Sequence, residues 1–216
     1  MRPARARSWL SAFAMAAVLG GCATPLKGPP PVVDLSTRSC AATADLSHAI
    51  ALNLPTGSSH DGSSAAVTID DNASCLAYAD GGRSLYAALK LPATDSEYLI
   101  SVEAMMLING VFAPRLSLLN EAGLTLRDIP NDAFVFRGNV LSVQIRSHPG
   151  ERYLLLASQP EKAGQSFLQA QESLRQTYVG YGATIYTGVD VTNQYRFTHS
   201  GIVTVSVGPI PEAKPK

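Results

Sequence analysis

Four stretches of this chain alternate apolar residues with others at a period of two, and that alternation narrows the possible folds more than any other feature. Leu85, Ala87, Leu89 and Leu91 alternate with Tyr86, Ala88 and Lys90. Tyr98, Ile100, Val102 and Ala104 alternate with Leu99, Ser101 and Glu103. Leu141, Val143 and Ile145 alternate with Ser142, Gln144 and Arg146, and Val203, Val205 and Val207 with Ile202, Thr204 and Ser206. Successive side chains of a strand point to opposite faces, so each stretch reads as a strand with one buried face. Leu154-Leu155-Leu156 is continuously apolar, as in a strand buried on both faces. Val111–Leu119 is also strand-like. Its Pro114 cannot donate to a ladder, which places that end at an edge or bulge. Glu121-Ala122-Gly123 turns the chain into Leu124-Thr125-Leu126. Charged residues make up 16% of the chain, against about 25% in soluble domains. Small and β-branched residues take their place, which favours β-structure.

The spacing predicts one helix near 160–179. Phe167, Leu168, Gln171, Leu174 and Tyr178 recur at helical intervals. Ser158, Pro160 and Glu161 supply a start, and Gly180 and Gly182 an end. The expected fold is therefore mainly β: an antiparallel, jelly-roll-like β-sandwich over 40–208, with one α-helix in its C-terminal half and closing strands.

The first 22 residues concern location. Arg2, Arg5 and Arg7 precede an apolar run from Trp9 to Leu19, and Leu19-Gly20-Gly21-Cys22 follows. Charge, length and small residues together read as a secretory signal peptide over 1–21. Two small residues before a cysteine resemble the bacterial lipobox. That resemblance implies acylation of Cys22, which would become the mature N-terminus. Two or more chains anchor stably, whereas one holds only marginally. Ala23, rather than Asp, follows the cysteine, and by the sorting rule of such lipoproteins this implies the outer membrane, facing the periplasm. Residues 22–39 read as the lipidated cysteine plus a linker stiffened by Pro25, Pro29, Pro30 and Pro31. Pro55–Ser64 reads as a soft surface loop, and 209–216 as a disordered tail.

Removing 1–21 removes three arginines and no acid, leaving 14 basic against 17 acidic side chains. Such a balance does not grip phosphate backbones, so no nucleic-acid partner is expected. Cys40 and Cys75 are then an even pair in an oxidising compartment and are expected to form a disulfide, two buried free thiols being the alternative.

Chemical motifs are scarce. His48, His60, His148 and His199 make no His-Glu-x-x-His pattern, and there is no Gly-x-Ser-x-Gly elbow or Gly-rich phosphate loop. His60-Asp61 reads as a solvated pair. Asp70-Asp71-Asn72 lacks the spacing of a calcium loop and reads as a turn. The expectation is a non-catalytic protein with no metal and no cofactor. Tyr178, Tyr181, Tyr186, Tyr195 and Phe197 crowd the last part of the domain. A tyrosine offers an apolar ring with a polar tip, which suits sugar faces and protein partners. Tyr178, Tyr181 and Tyr186 are the candidate binding surface, and packing of these rings onto the sheet is the structural alternative.

About 120 positions resemble the maltose operon periplasmic protein family, in a lipoprotein version. The residues that carry this are Leu85-Tyr86-Ala87-Ala88-Leu89-Lys90-Leu91-Pro92, Tyr98-Leu99-Ile100-Ser101-Val102, and Val111-Phe112-Ala113-Pro114 followed by Leu118-Leu119-Asn120. Tyr153-Leu154-Leu155-Leu156, the Gln-rich segment ending in Tyr178 and a glycine, and Gly201-Ile202-Val203-Thr204-Val205 follow in the same order. The resemblance implies an exported, non-enzymatic accessory to maltose and maltodextrin uptake, with maltodextrin or transport proteins as partners. It carries no residue-level site. A general envelope lipoprotein with no sugar specificity is the alternative.

Overall fold

The computed structural model describes residues 32–55, 63–94, 96–108, 110–179 and 183–210, and for 170–191 the backbone alone. In chain order the strands are β1 (Ile50–Ala51), β2 (Ser63–Ile69), β3 (Ser74–Ala77), β4 (Arg83–Lys90), β5 (Leu99–Leu107), β6 (Gly110–Phe112) and β7 (Pro114–Leu119). They continue with β8 (Thr125–Ile129), β9 (Val135–Arg137), β10 (Val140–Arg146), β11 (Tyr153–Ser158), β12 (Ser166–Val179), β13 (Ala183–Thr198) and β14 (Gly201–Gly208).

Two sheets form a β-sandwich. The first runs β1-β4-β11-β7-β8, with β3 sharing the outer edge of β4 with β1. In the second, β10 and then β9 lie on one side of β5. The other side of β5 is shared. β14, backed by β2, covers Leu99–Ala104, and β6 takes over at Met106 and Leu107. β6 in turn carries β13, and β13 carries β12. All these ladders are antiparallel except β1 with β4 and β6 with β13.

The sequence alternation explains the core. Leu85, Leu89, Leu116, Leu118, Leu154 and Leu156 of the first sheet face Ile100, Val102, Ala104, Val203, Val205 and Val207 of the second. Each such leucine, isoleucine or valine, fully buried, contributes about 1.5–3 kcal/mol. The leucine run of β11 is buried on both faces as expected. Leu154 and Leu156 join the main core, while Leu155 joins a second cluster with Leu76, Tyr86, Ala88 and Leu119. That second cluster is roofed by Ala44, Leu46 and Ala49. The roof is pinned by the Cys40–Cys75 disulfide, by a bridge between Ala41 and Leu76, and by the backbone N–H of Asp45 donating to the Tyr86 hydroxyl at 2.8 Å. Packing begins ahead of Cys40: Leu35 is buried in the main core and Val33 packs against it.

The predicted helix near 160–179 is not there. Residues 160–164 make a turn, in which the N–H groups of Lys162 and Ala163 both donate to the carbonyl of Gln159. Gly164 closes it at φ +90°, a conformation that costs glycine nothing. The chain then enters β12, which pairs with β13 from Ser166↔Arg196 to Val179↔Ala183. Gln, Glu, Leu and Arg favour helices weakly, by tenths of a kcal/mol each, and a ladder of this length overrides them. Pro114 has a clear place. The strand-like segment 111–119 breaks at Ala113, so that β6 belongs to one sheet and β7 to the other, and Pro114 opens β7 opposite Ser158.

Candidate functional site

Two of the sequence-predicted tyrosines fall on the β12–β13 hairpin. Tyr178 pairs with Thr184 and Tyr186 with Gln176 in the backbone register, which makes them diagonal neighbours close to the tip. Tyr181 lies outside the described residues, as do Cys22, the signal peptide, His60-Asp61 and the tail from 211. At about 3.3 Å per residue, the 14 residues of β12 span roughly 45 Å. The hairpin is an arm. β13 is joined to the sandwich by pairing of Arg196–Thr198 with Gly110–Phe112, and β12 pairs with β13 alone among the described strands.

The arm has an aromatic root. The Phe167 ring lies 4.7 Å from Phe197, 4.9 Å from Phe136 and 5.7 Å from Tyr195. The packing alternative raised for the aromatic cluster thus holds for Tyr195 and Phe197. Backbone bonds from Gly164 N–H to the Phe197 carbonyl (2.8 Å) and from Phe197 N–H to the Gln165 carbonyl (2.9 Å) extend the ladder below Ser166. The Thr198 hydroxyl donates to the carbonyls of Val111 and Ser200.

Beside the root lies a groove of about 330 Å³. It exists because β14 leaves the edge of β5 at Ala104 and β6 joins only at Met106. The groove is largely apolar, lined by Ile69, Met105, Leu107, Ile108 and Phe112, with Gly201 closing it. Met105, Leu107 and Ile108 are 43%, 39% and 73% exposed. Sequence reasoning missed this feature. The signal was the run Met105-Met106-Leu107-Ile108, which continues apolar past the alternation of β5 and cannot all face inward.

One pair has the atom types of a nucleophile and a base. Ser158 Oγ lies 2.8 Å from His199 Nδ1. Ser158 Oγ also accepts from the N–H of Leu85 at 3.2 Å, and the Ser84 hydroxyl donates to the Ser158 carbonyl. The Ser158 hydroxyl accepts the Leu85 N–H and shares a second hydrogen bond with the imidazole, whose tautomer sets its direction. Burial holds the His199 pKa below its usual value, which favours the neutral ring. Ser158 is 0% exposed, so no carbonyl can approach its oxygen, and the pair acts as a brace between β11 and the β13–β14 junction. His148 lies 3.5 Å from the Arg127 guanidinium at the surface. Asp70-Asp71-Asn72 is a turn, with Asp70 Oδ1 accepting from the N–H of Asn72 at 2.8 Å.

The buried charge of this fold is structural. Glu151 is 2% exposed and pairs with Arg127 at 3.0 Å. Its other oxygen accepts from the N–H of His148 at 2.8 Å, and Arg127 also donates to the Arg146 carbonyl at 2.9 Å. Nearby, burial first and the Glu151 carboxylate second push Tyr98 up to about 12. No group of three or more His, Cys, Asp or Glu among the described residues is placed to hold a metal ion, and no helix among them is long and apolar enough to cross a membrane. The sequence matches no model of a known protein family and no curated protein.

Proposed function

We propose that this protein is a non-catalytic lipoprotein of the outer membrane, facing the periplasm, which serves carbohydrate uptake by binding a maltodextrin or a transport component through its arm. The arm is the observation that carries the reading. A ribbon roughly 45 Å long, standing on a short root, is a device for reaching a partner rather than for enclosing a reaction. Tyr178 and Tyr186 sit near its tip. The Cys40–Cys75 disulfide fits an oxidising compartment and so supports export.

The tether agrees with this use. Val33 packs on the core, and eleven residue steps separate it from Cys22. A chain of that length spans at most about 40 Å. Val32 lies against Gly164, next to the arm's root. Lipid on Cys22 would therefore hold the root within about 40 Å of the membrane surface. The carbohydrate class rests on the resemblance in the segments around Leu85–Pro92, Val111–Pro114 and Gly201–Val205.

The test is capture from detergent-solubilised envelopes with the full lipidated chain, with and without maltodextrin. The expected result is recovery of transport proteins that changes with the sugar and is lost when the arm tyrosines Tyr178 and Tyr186 are replaced by Ser. Recovery of cell-wall or assembly proteins alone, indifferent to sugar, would replace this reading with a general envelope role.

A further inference from the structure

We propose that two copies of this protein join through the outer edges of β12, antiparallel, so that their arms make one four-stranded sheet. The partner is a second copy of this chain, and the contact is backbone pairing along the arm. This goes beyond the uptake reading and does not depend on it.

The first argument is the state of that edge. A lone two-stranded ribbon is marginal in water, because it covers neither face and leaves two rows of backbone N–H and C=O groups unpaired. β12 uses one edge for β13 and pairs its other edge with no described strand. Long exposed edges are normally guarded by charged side chains, lysine above all, by proline or by a bulge. Ser166–Val179 contains neither lysine nor proline, carries only two charges, Glu172 and Arg175, and its register with β13 runs without a shift. The outer edge of β13 is less suited: β6 occupies it at Arg196–Thr198, and Gly188 interrupts it.

The second argument is the register. A two-fold axis between antiparallel copies of one strand runs perpendicular to the sheet, so residues facing each other must lie on the same face. The two position numbers of every pair then add to an even constant. The strand's midpoint lies between Glu172 and Ser173, which leaves two registers of maximal overlap. One sets Glu172 opposite its own copy, two like charges in direct opposition, which is unfavourable. The other centres on Ser173. It pairs Ser173 with itself, Gln171 with Arg175, Gln169 with Thr177 and Leu168 with Tyr178, and sets no like charges opposite. Length and charge together select the register centred on Ser173.

That register makes a sharp prediction. Directly opposed residues of an antiparallel pair have Cα atoms about 4.5–5.5 Å apart, inside the range a disulfide needs. In the full chain, Ser173→Cys should give an interchain disulfide on mild oxidation. Gln169→Cys should not, because its copy lies eight residues along, roughly 26 Å away. We expect the dimer yield at Ser173→Cys to exceed that at Gln169→Cys by at least tenfold. Mixing Gln169→Cys with Thr177→Cys in equal amounts should restore cross-linking to about half the level of Ser173→Cys, because half of randomly formed dimers pair the two variants. Unchanged thermal unfolding of each variant shows that the sandwich is intact. Equal yields at 169 and 173, a maximum at another position, or no cross-linking at 173 would each overturn the proposal.

Discussion

Ser158 Oγ and His199 Nδ1 are 2.8 Å apart, and the two residues are 0% and 8% exposed. They tie the end of β11 to the short connection between β13 and β14, directly beneath the arm's root. Burial disfavours the charged form of the imidazole, and this sets a pH dependence. Burial lowers the pKa of His199 in the folded chain from its ordinary 6.5. The unfolded chain therefore takes up a proton first as pH falls. Stability from this group is fully present above about pH 6.5 and is lost progressively below it, down to the folded pKa. Thermal unfolding between pH 7 and 5 should show a steeper fall for the native chain than for His199→Gln. Equal slopes would show that His199 does not titrate differently in the two states.

Tyr98 makes the corresponding prediction in alkali. Its folded pKa is raised to about 12 from an ordinary 10.0, chiefly by burial and then by Glu151. An acid whose folded pKa is raised contributes stability below the unfolded pKa and loses it as pH rises between the two values. Titration followed by tyrosinate absorbance should show one tyrosine ionising late, with or after unfolding. Tyr98→Phe should remove that late step.

Glu151 is buried, and Arg127 is its cationic partner. Removing one member of a buried pair leaves an uncompensated charge, which costs about 3–5 kcal/mol. Arg127→Met should therefore lower stability by that order, measured by denaturant unfolding. The double variant Arg127→Met, Glu151→Met should recover a large part of the loss.

The disulfide closes a loop between positions 35 apart in sequence. In the chain-entropy account such a loop is worth about 3–4 kcal/mol. Replacing both cysteines by Ala should cost that much and should loosen the roof formed by Ala44, Leu46 and Ala49 before the main core melts. Hydrogen exchange resolved by peptide would show the roof exchanging first.

Gly201 allows β14 to pass β6. A Cβ placed there would lie 2.8 Å from Phe112 Cβ and 3.4 Å from its backbone nitrogen. Backbone cannot yield as a flexible side chain would, so Gly201→Ala should cost about 1–3 kcal/mol by overpacking. It should also shift the groove beside Met105 and Leu107, which a change in the fluorescence of an apolar dye would report.

Much of the sandwich was legible because its signals are local. The alternations at Leu85–Leu91, Tyr98–Ala104, Leu141–Ile145 and Val203–Val207 each became a strand whose apolar residues face the core. Leu154–Leu156 is buried on both faces as its continuous pattern requires. Cys40 and Cys75 pair as their number and context suggested. The hairpin misled for a physical reason. Phe167, Leu168, Gln171, Leu174 and Tyr178 fit a helical stripe, but the first two of them do not share one buried face. Phe167 packs at the root, whereas Leu168 is 71% exposed.

Period and composition, which are properties of neighbouring residues, determined that this chain is mainly β and which residues of its strands point inward. The tertiary structure decided what those strands pair with. The crossing of the chain between sheets at Ala113, the sharing of one β5 edge by β14 and β6, the groove this opens, and the conversion of 166–179 from apparent helix to arm all depend on partners far along the chain. Hydrogen-bonded register is a relation between segments, and its free energy is not written in either segment alone.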